Sequence, residues 1–267
     1  MTVKKKLRLA LIAVSAAVFL FSGWQLMTIL GSYQEGTNTY QDLNQYISFE
    51  PAPPATVPTV PEGIAPAPTV GPDLSGWPQV DFEELEKLNP DVVGWICIEG
   101  TNINYPIVQA EDNDYYLDHL FDGRKNRAGC IFLDARCDPY FFDRHSIIYG
   151  HHLKDGTMFT RLMRYKKQSF YDEHSTILLM TPDAYYKIRV FSGYVANNRS
   201  SAWDLDLDDE AHAAWLQELQ EKSCFQTNYA PAPDASIITL STCTYEFDNA
   251  KFLLHGYIEE TIDLPQP

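Results

Sequence analysis

A cysteine closes the apolar run in "SIITLSTCTYEFDNAKFLLHGYI", residues 236–258. Ser241 and Thr242 precede Cys243, and Lys251 follows where the apolar pattern resumes. A thiol at the end of a strand has two readings. It can be a small buried hydrophobe of the core. As a thiolate it can instead attack a carbonyl and form an acyl-enzyme, and that chemistry needs a partner that handles protons. Of the seven histidines, His119, His145, His174, His212 and His255 stand mostly in polar, helical or alternating contexts, where a surface position is the default. His151 and His152 differ: they follow "SIIYG", an apolar run ended by Gly150, and precede the turn-like "LKDGTMF". An imidazole at the mouth of a strand can give and take a proton near neutral pH. Two adjacent histidines are also a fragment of a metal site, but no third ligand stands at a recognisable spacing and the five cysteines contain no CxxC. No metal and no cofactor are expected. The odd cysteine count leaves at least one unpaired thiol in a monomer.

The elements that must position these residues are short strands. "DFEELEKLNPDVVGWICI" predicts a helix over 81–88, stopped near Pro90, and a strand over 92–98. "YPIVQ", "GCIFLD", "HSIIYG", "YYKIRVFSGYVA", "SIITLSTC" and "KFLLHGYI" have strand character, and "NDYYLDHLF" suits a helical turn. The clearest amphipathic helix is "DLDDEAHAAWLQELQEKS", with Ala211, Ala214, Trp215 and Leu219 at helical spacing. Many short strands with few helices make the domain mostly β, a barrel or a sandwich with helical insertions. There is no phosphate-binding glycine loop and no internal repeat. "DLDLDDE", 204–210, reads as a solvated helix start rather than a calcium loop.

Charge and hydropathy set the location. Lys4, Lys5, Lys6 and Arg8 come before any acid, and the sixteen basic residues that remain face all thirty-six acids, a balance of −20. So acidic a body is repelled by phosphate backbones, which argues against nucleic acid as a partner. Residues 7–30 are mostly apolar, and 24 residues of helix reach about 36 Å, enough to cross a hydrocarbon core of about 30 Å. This length favours a retained signal-anchor over a cleaved signal peptide. With the basic cluster in front, residues 1–6 are expected in the cytoplasm and everything after Leu30 outside. Residues 31–75 are expected to be a juxtamembrane segment and a spacer, since 51–72 hold eight prolines in 22 positions. The folded domain is expected over 76–267.

Three separated motifs then point to a family. "TLSTC" resembles the TLxTC signature of sortases, "IIYGHHLKDGTMF" resembles the histidine motif of class B sortases, and "YPIVQAEDNDYYLDHLFDGRKNRAGCIFLD" is similar to the class B segment that precedes that motif. The resemblance covers roughly residues 77–260. It implies a sortase-like closed β-barrel of seven to eight strands with N-terminal and inserted helices, behind a transmembrane helix. It implies a cysteine transpeptidase in a Gram-positive-type envelope, with Cys243 as nucleophile, His151 as general acid/base, and Asn113, Leu117, Ser241 and Thr242 against the substrate. Class B members favour signals of the Asn-Pro-x-Thr type on surface proteins or pilins. The thioester at the threonine carbonyl is resolved by an amine of a peptidoglycan precursor or a pilin. Where sortases carry an arginine this chain has Lys251. That departure would permit a catalytically weak sortase-like binding protein, and a third reading is a cysteine hydrolase that releases its acyl group to water.

Overall fold

The computed structural model describes residues 3–49, 74, 76–197 and 199–265. Helix α1 (Val3–Leu43) is one uninterrupted helix. It is long and apolar enough to cross a membrane, and its large apolar side chains from Leu11 to Leu30 are left exposed. The helix does not stop at Leu30. It runs on through the polar residues that follow, and Tyr40, Leu43 and then Ile47 are buried in the main core. Residues 31–48, expected to lie outside the folded unit, pack on it. Strand β1 (Ile47–Ser48) pairs antiparallel with β2 (Gln79–Val80). The proline-rich residues 51–72, expected to be a spacer, lie outside the described residues; the strands on either side of them are hydrogen-bonded neighbours.

Helix α2 (Phe82–Leu88) starts at Asp81, whose carboxylate accepts from the Glu84 backbone N–H at 3.1 Å and so caps the first turn. The remaining strands are β3 (Val92–Cys97), β4 (Asn104–Val108), β5 (Ile131–Leu133), β6 (His145–Tyr149), β7 (Thr176–Met180), β8 (Ala184–Ala196), β9 (Ile237–Cys243) and β10 (Lys251–Asp263). Helices α3 (Gln168–Glu173) and α4 (Asp209–Lys222) are inserted among them. The strands β3 to β10 close a barrel in the order β10-β8-β7-β3-β4-β5-β6-β9. Closure leaves no unpaired edge. Strand β9 is buried on both faces from Ile237 to Thr242, so it lacks the alternation of a half-exposed strand.

One feature of the topology decides the site. Strands β6 and β9 are parallel neighbours, with Tyr149 opposite Ser241. Two residues beyond that pair, His151 and Cys243 leave the barrel at the same rim. Strand β10 returns antiparallel along β9, which sets Lys251 directly opposite Cys243. The order β10, β9, β6 thus lines up a cation, a thiol and an imidazole across three adjacent strands.

Helix α4 buries His212, Trp215, Leu216 and Leu219 on β8, β9 and β10, while Ala211 and Ala214 are exposed. The buried stripe lies to one side of the alanines because Trp215 and Leu216 have more apolar surface to hide. Three histidines expected at the surface are buried: His145, His212 and His255. Polar partners stabilise each. His145 Nδ1–H donates to the Asp204 carbonyl at 2.8 Å, so its bare Nε2 accepts the Thr239 hydroxyl at 2.8 Å. Thr239 Oγ1 in turn accepts from His255 Nδ1–H at 2.8 Å. His212 Nε2–H donates to the Ala235 carbonyl at 3.0 Å. Burial holds His145 neutral, with its pKa pushed down to about 4, and lowers that of His255 as well.

Candidate active site

At the shared rim of β6 and β9 lies a cavity of about 200 Å³. Its walls are Asn113, Leu117, Phe132, Tyr149, Gly150, His151, Ser241, Thr242, Cys243 and Lys251. All seven residues singled out from the sequence therefore meet in one place. A larger cleft of about 340 Å³ opens between α1 and the segments around Asn102 and Thr157, and it contains none of them.

The two strand ends are tied together. Gly150 N–H donates to the Ser241 carbonyl at 3.1 Å, and Thr242 Oγ1–H donates back to the Gly150 carbonyl at 2.8 Å. Gly150 has a steric reason to be glycine. A Cβ there would stand 2.5 Å from Ile131 Cδ1 and 2.6 Å from the Phe159 ring, so the strand end can pack this closely on both only because the position is bare. His152, next to the cavity residue, points elsewhere: its Nδ1–H donates to the Cys243 carbonyl at 2.9 Å. It braces the backbone of the cysteine, and His151 is the imidazole in the cavity.

Lys251 Nζ stands 2.9 Å from Cys243 Sγ. An ammonium at that distance is placed to stabilise negative charge on the sulfur or on an oxygen developing beside it. His151 Nε2–H donates to the Leu117 carbonyl at 2.7 Å, which leaves Nδ1 as the nitrogen free to exchange a proton. Of the other cysteines, burial pushes the Cys97 and Cys137 thiols up to about 11 and Cys130 up to about 12, so these stay protonated near neutral pH. Cys224 lies beyond the end of α4 and lines no part of the cavity.

A buried carboxylate supports one wall. Asp134 is fully buried and accepts from the Tyr149 hydroxyl at 2.9 Å and from the Arg136 guanidinium at 2.9 Å. Burial alone would raise its pKa, but Arg136 and Tyr149 outweigh that and hold the carboxyl down at about 2. Asn113 accepts from the Ala135 backbone N–H at 2.8 Å, so cavity and carboxylate share one frame. Sequence reasoning missed Tyr149, Phe132 and Asp134. Tyr149 had a signal, since it precedes the glycine that ends the strand; Phe132 and Asp134 reach the site only through the β5–β6 pairing. Among the described residues, no group of three or more His, Cys, Asp or Glu side chains could hold a metal ion.

Comparison with known proteins shows the family. The Sortase domain family model matches residues 96–257. The chain is 32% identical over 252 residues to sortase B of Listeria monocytogenes, covering 94% of this chain and 95% of that protein. It is 38% identical over 163 residues to sortase B of Staphylococcus aureus, covering 61% and 67% of the two. Among solved structures, the Staphylococcus aureus sortase B–substrate complex is 35% identical with a TM-score of 0.64, over 67% of this chain and 84% of that one. Sortase B from B. anthracis in complex with AAEK1 is 30% identical with a TM-score of 0.68, over 86% and 99%. With its closed eight-stranded barrel and its rim of thiol, imidazole and cation, the chain belongs to the sortase family, as a class B sortase and a cysteine transpeptidase.

Proposed function

We propose that Cys243 is the nucleophile of a two-step acyl transfer on a sorting signal of the Asn-Pro-x-Thr-x kind. The Cys243 sulfur attacks the threonine carbonyl carbon, and the carbonyl electrons move onto oxygen beside the Lys251 ammonium. The tetrahedral adduct collapses, the threonine C–N bond breaks, and His151 gives its proton to the leaving amine. The acyl group is then held as a thioester on Cys243. An acceptor amine attacks that thioester, His151 takes the proton it releases, and the C–S bond breaks to return the thiolate. One imidazole serves both half-reactions, as acid and then as base. Asn113, Leu117, Ser241 and Thr242 bind the signal along the cavity wall. The observation that supports this reading best is the 2.9 Å contact between Lys251 and Cys243, inside the cavity that His151 lines. A built-in cation at the sulfur favours catalysis over mere holding of a signal.

In this reading residues 7–30 anchor the chain in the cell membrane, residues 1–6 are cytoplasmic, and the barrel faces outward. The donors are surface proteins or pilins with a sorting signal, and the acceptor is an amine of a peptidoglycan precursor or a pilin. The folded unit then begins within α1, near Ser32, rather than at residue 76. The test is an assay of the full-length chain in lipid nanodiscs with an Asn-Pro-x-Thr-x peptide, with and without an amine acceptor. Amine-dependent ligation that disappears in Cys243→Ala supports the proposal. Cleavage indifferent to the amine indicates a hydrolase, and peptide binding without product indicates a binding protein.

A further inference from the structure

The polar end of helix α1 packs against the turn that lies beside His151. Its residues Ser32, Gly36 and Tyr40 follow each other at four-residue intervals and so lie on one face. All three touch the turn formed by residues 126–129. Asn126 Nδ2–H donates to the Ser32 carbonyl at 3.0 Å, while its Oδ1 accepts from the Ala128 backbone N–H at 3.0 Å and holds the turn closed. Gly36 packs so closely that a Cβ there would lie 2.9 Å from Ala128 Cβ. The buried Tyr40 hydroxyl donates to the Gly129 carbonyl at 2.6 Å.

The other side of the same turn is the seat of His151. Gly129 has φ +59°, in the left-handed region, and a Cβ on it would stand 2.6 Å from the Tyr116 carbonyl oxygen, 2.8 Å from the Leu117 carbonyl oxygen and 3.0 Å from His151 Cδ2. The Leu117 oxygen is the acceptor that holds His151 Nε2–H. The Gly129 peptide therefore lies between the tyrosine hydroxyl on α1, which also touches Cys130 Sγ at 3.1 Å, and the histidine ring with the carbonyl that fixes its tautomer.

We infer that Tyr40 is a positioning residue for the transfer reaction, setting the Leu117 carbonyl and the His151 ring through Gly129. This rests on the reading that His151 is the general acid/base. It makes α1, the same unbroken helix that carries the apolar segment, a part of the catalytic frame. Loss of the hydroxyl lets the Gly129 peptide relax away from α1 and loosens the Leu117 acceptor, so His151 Nε2–H is held less firmly and proton transfer at Nδ1 suffers. The Asn113, Ser241 and Thr242 contacts to the peptide are left in place.

The experiment uses the full-length chain in lipid nanodiscs. Tyr40→Phe removes one oxygen and little volume. It should lower kcat by about 3–10-fold, since small misplacements of a reacting group are costly. KM for the peptide should stay within about twofold, and the histidine limb of the kcat pH profile should move. Leu43→Ala, on the same helix but buried in the core away from the turn, should lower Tm without moving that limb. Gly36→Ala, which presses on Ala128, should move the limb while leaving Tyr40 intact, and it stands in if Tyr40→Phe fails to fold. The inference is overturned if Tyr40→Phe or Gly36→Ala lowers Tm alone, as Leu43→Ala does, or leaves kcat and the limb unchanged. A His151→Ala variant that still ligates overturns the acid/base reading instead; an inactive His151→Ala beside a silent Tyr40→Phe overturns only the positioning role.

Discussion

Replacing Lys251 by methionine keeps the length and most of the volume of the side chain and removes one charge. The structure places that charge 2.9 Å from the Cys243 sulfur. Two unit charges at this separation attract by about 1.4 kcal/mol in water and about 6 kcal/mol at an effective dielectric near 20. Lys251 is half-buried, so its environment lies between those limits. A mid-range loss of about 3 kcal/mol is roughly a 100-fold fall in rate, comparable to deleting one donor of an oxyanion hole. The assay is ligation of a fluorescent Asn-Pro-x-Thr-x peptide to an amine by Lys251→Met, with Lys251→Arg beside it. Arginine keeps the charge and adds a fork of donors, so Lys251→Arg should retain or raise turnover. If Lys251→Met falls by less than about threefold, a lysine ammonium at the sulfur is irrelevant to the barrier and the electrostatic argument fails. A large loss in Lys251→Arg would show that the site needs lysine in particular.

Gly150→Ala drives a methyl into Ile131 and Phe159; overpacking of this kind costs about 1–3 kcal/mol and should lower Tm by about 2–10 °C, read by differential scanning fluorimetry, whereas an unchanged Tm would show that the strand end has room. His145 is kept neutral by burial, with a pKa of about 4, while in the unfolded chain it titrates near its ordinary value of about 6.5. The unfolded state therefore binds the proton first as pH falls, and stability is full above about pH 6.5 and lost down to about pH 4, by about 3 kcal/mol from this group, with His255 acting in the same direction. Urea midpoints at stepped pH should show this slope, and His145→Gln should flatten it; an equal slope in the variant would place the acid sensitivity elsewhere.

The residues of the candidate site were legible because each is marked locally. Cys243 ends an apolar run, His151 follows the glycine that ends another, and Lys251 opens the next strand, so each appears as a break in the pattern. Their meeting was not legible from periodicity, since it depends on β6 lying parallel to β9 with Tyr149 opposite Ser241, a pairing between segments 92 residues apart. The family motifs supplied that link. The docking of α1 escaped notice for a different reason. Its contact face is Ser32, Gly36 and Tyr40, small or polar residues that read as a solvated segment next to a membrane, and their partners are the Asn126 side chain, the Ala128 methyl and the Gly129 carbonyl of a distant turn. The buried histidines misled in the same way: a charged or polar side chain is expected outside unless paired, and the pairs that hold His145 and His255 inside run through Thr239 and Asp204. On α4 the spacing was right and the centre of the face was shifted by a residue, because volume rather than apolar character alone decides which side turns inward.

Acyl transfer through Cys243 requires a covalent intermediate, which intact-protein mass spectrometry detects directly. Full-length chain is mixed with a sorting-signal peptide in the absence of amine, quenched in acid, and mapped by proteolysis. The expected adduct equals in mass the peptide up to and including its threonine, less one water, and sits on the fragment holding Cys243. Adding an amine acceptor should discharge it, and Cys243→Ala should never show it. An adduct on another residue, or ligation that persists in Cys243→Ala, would contradict the account.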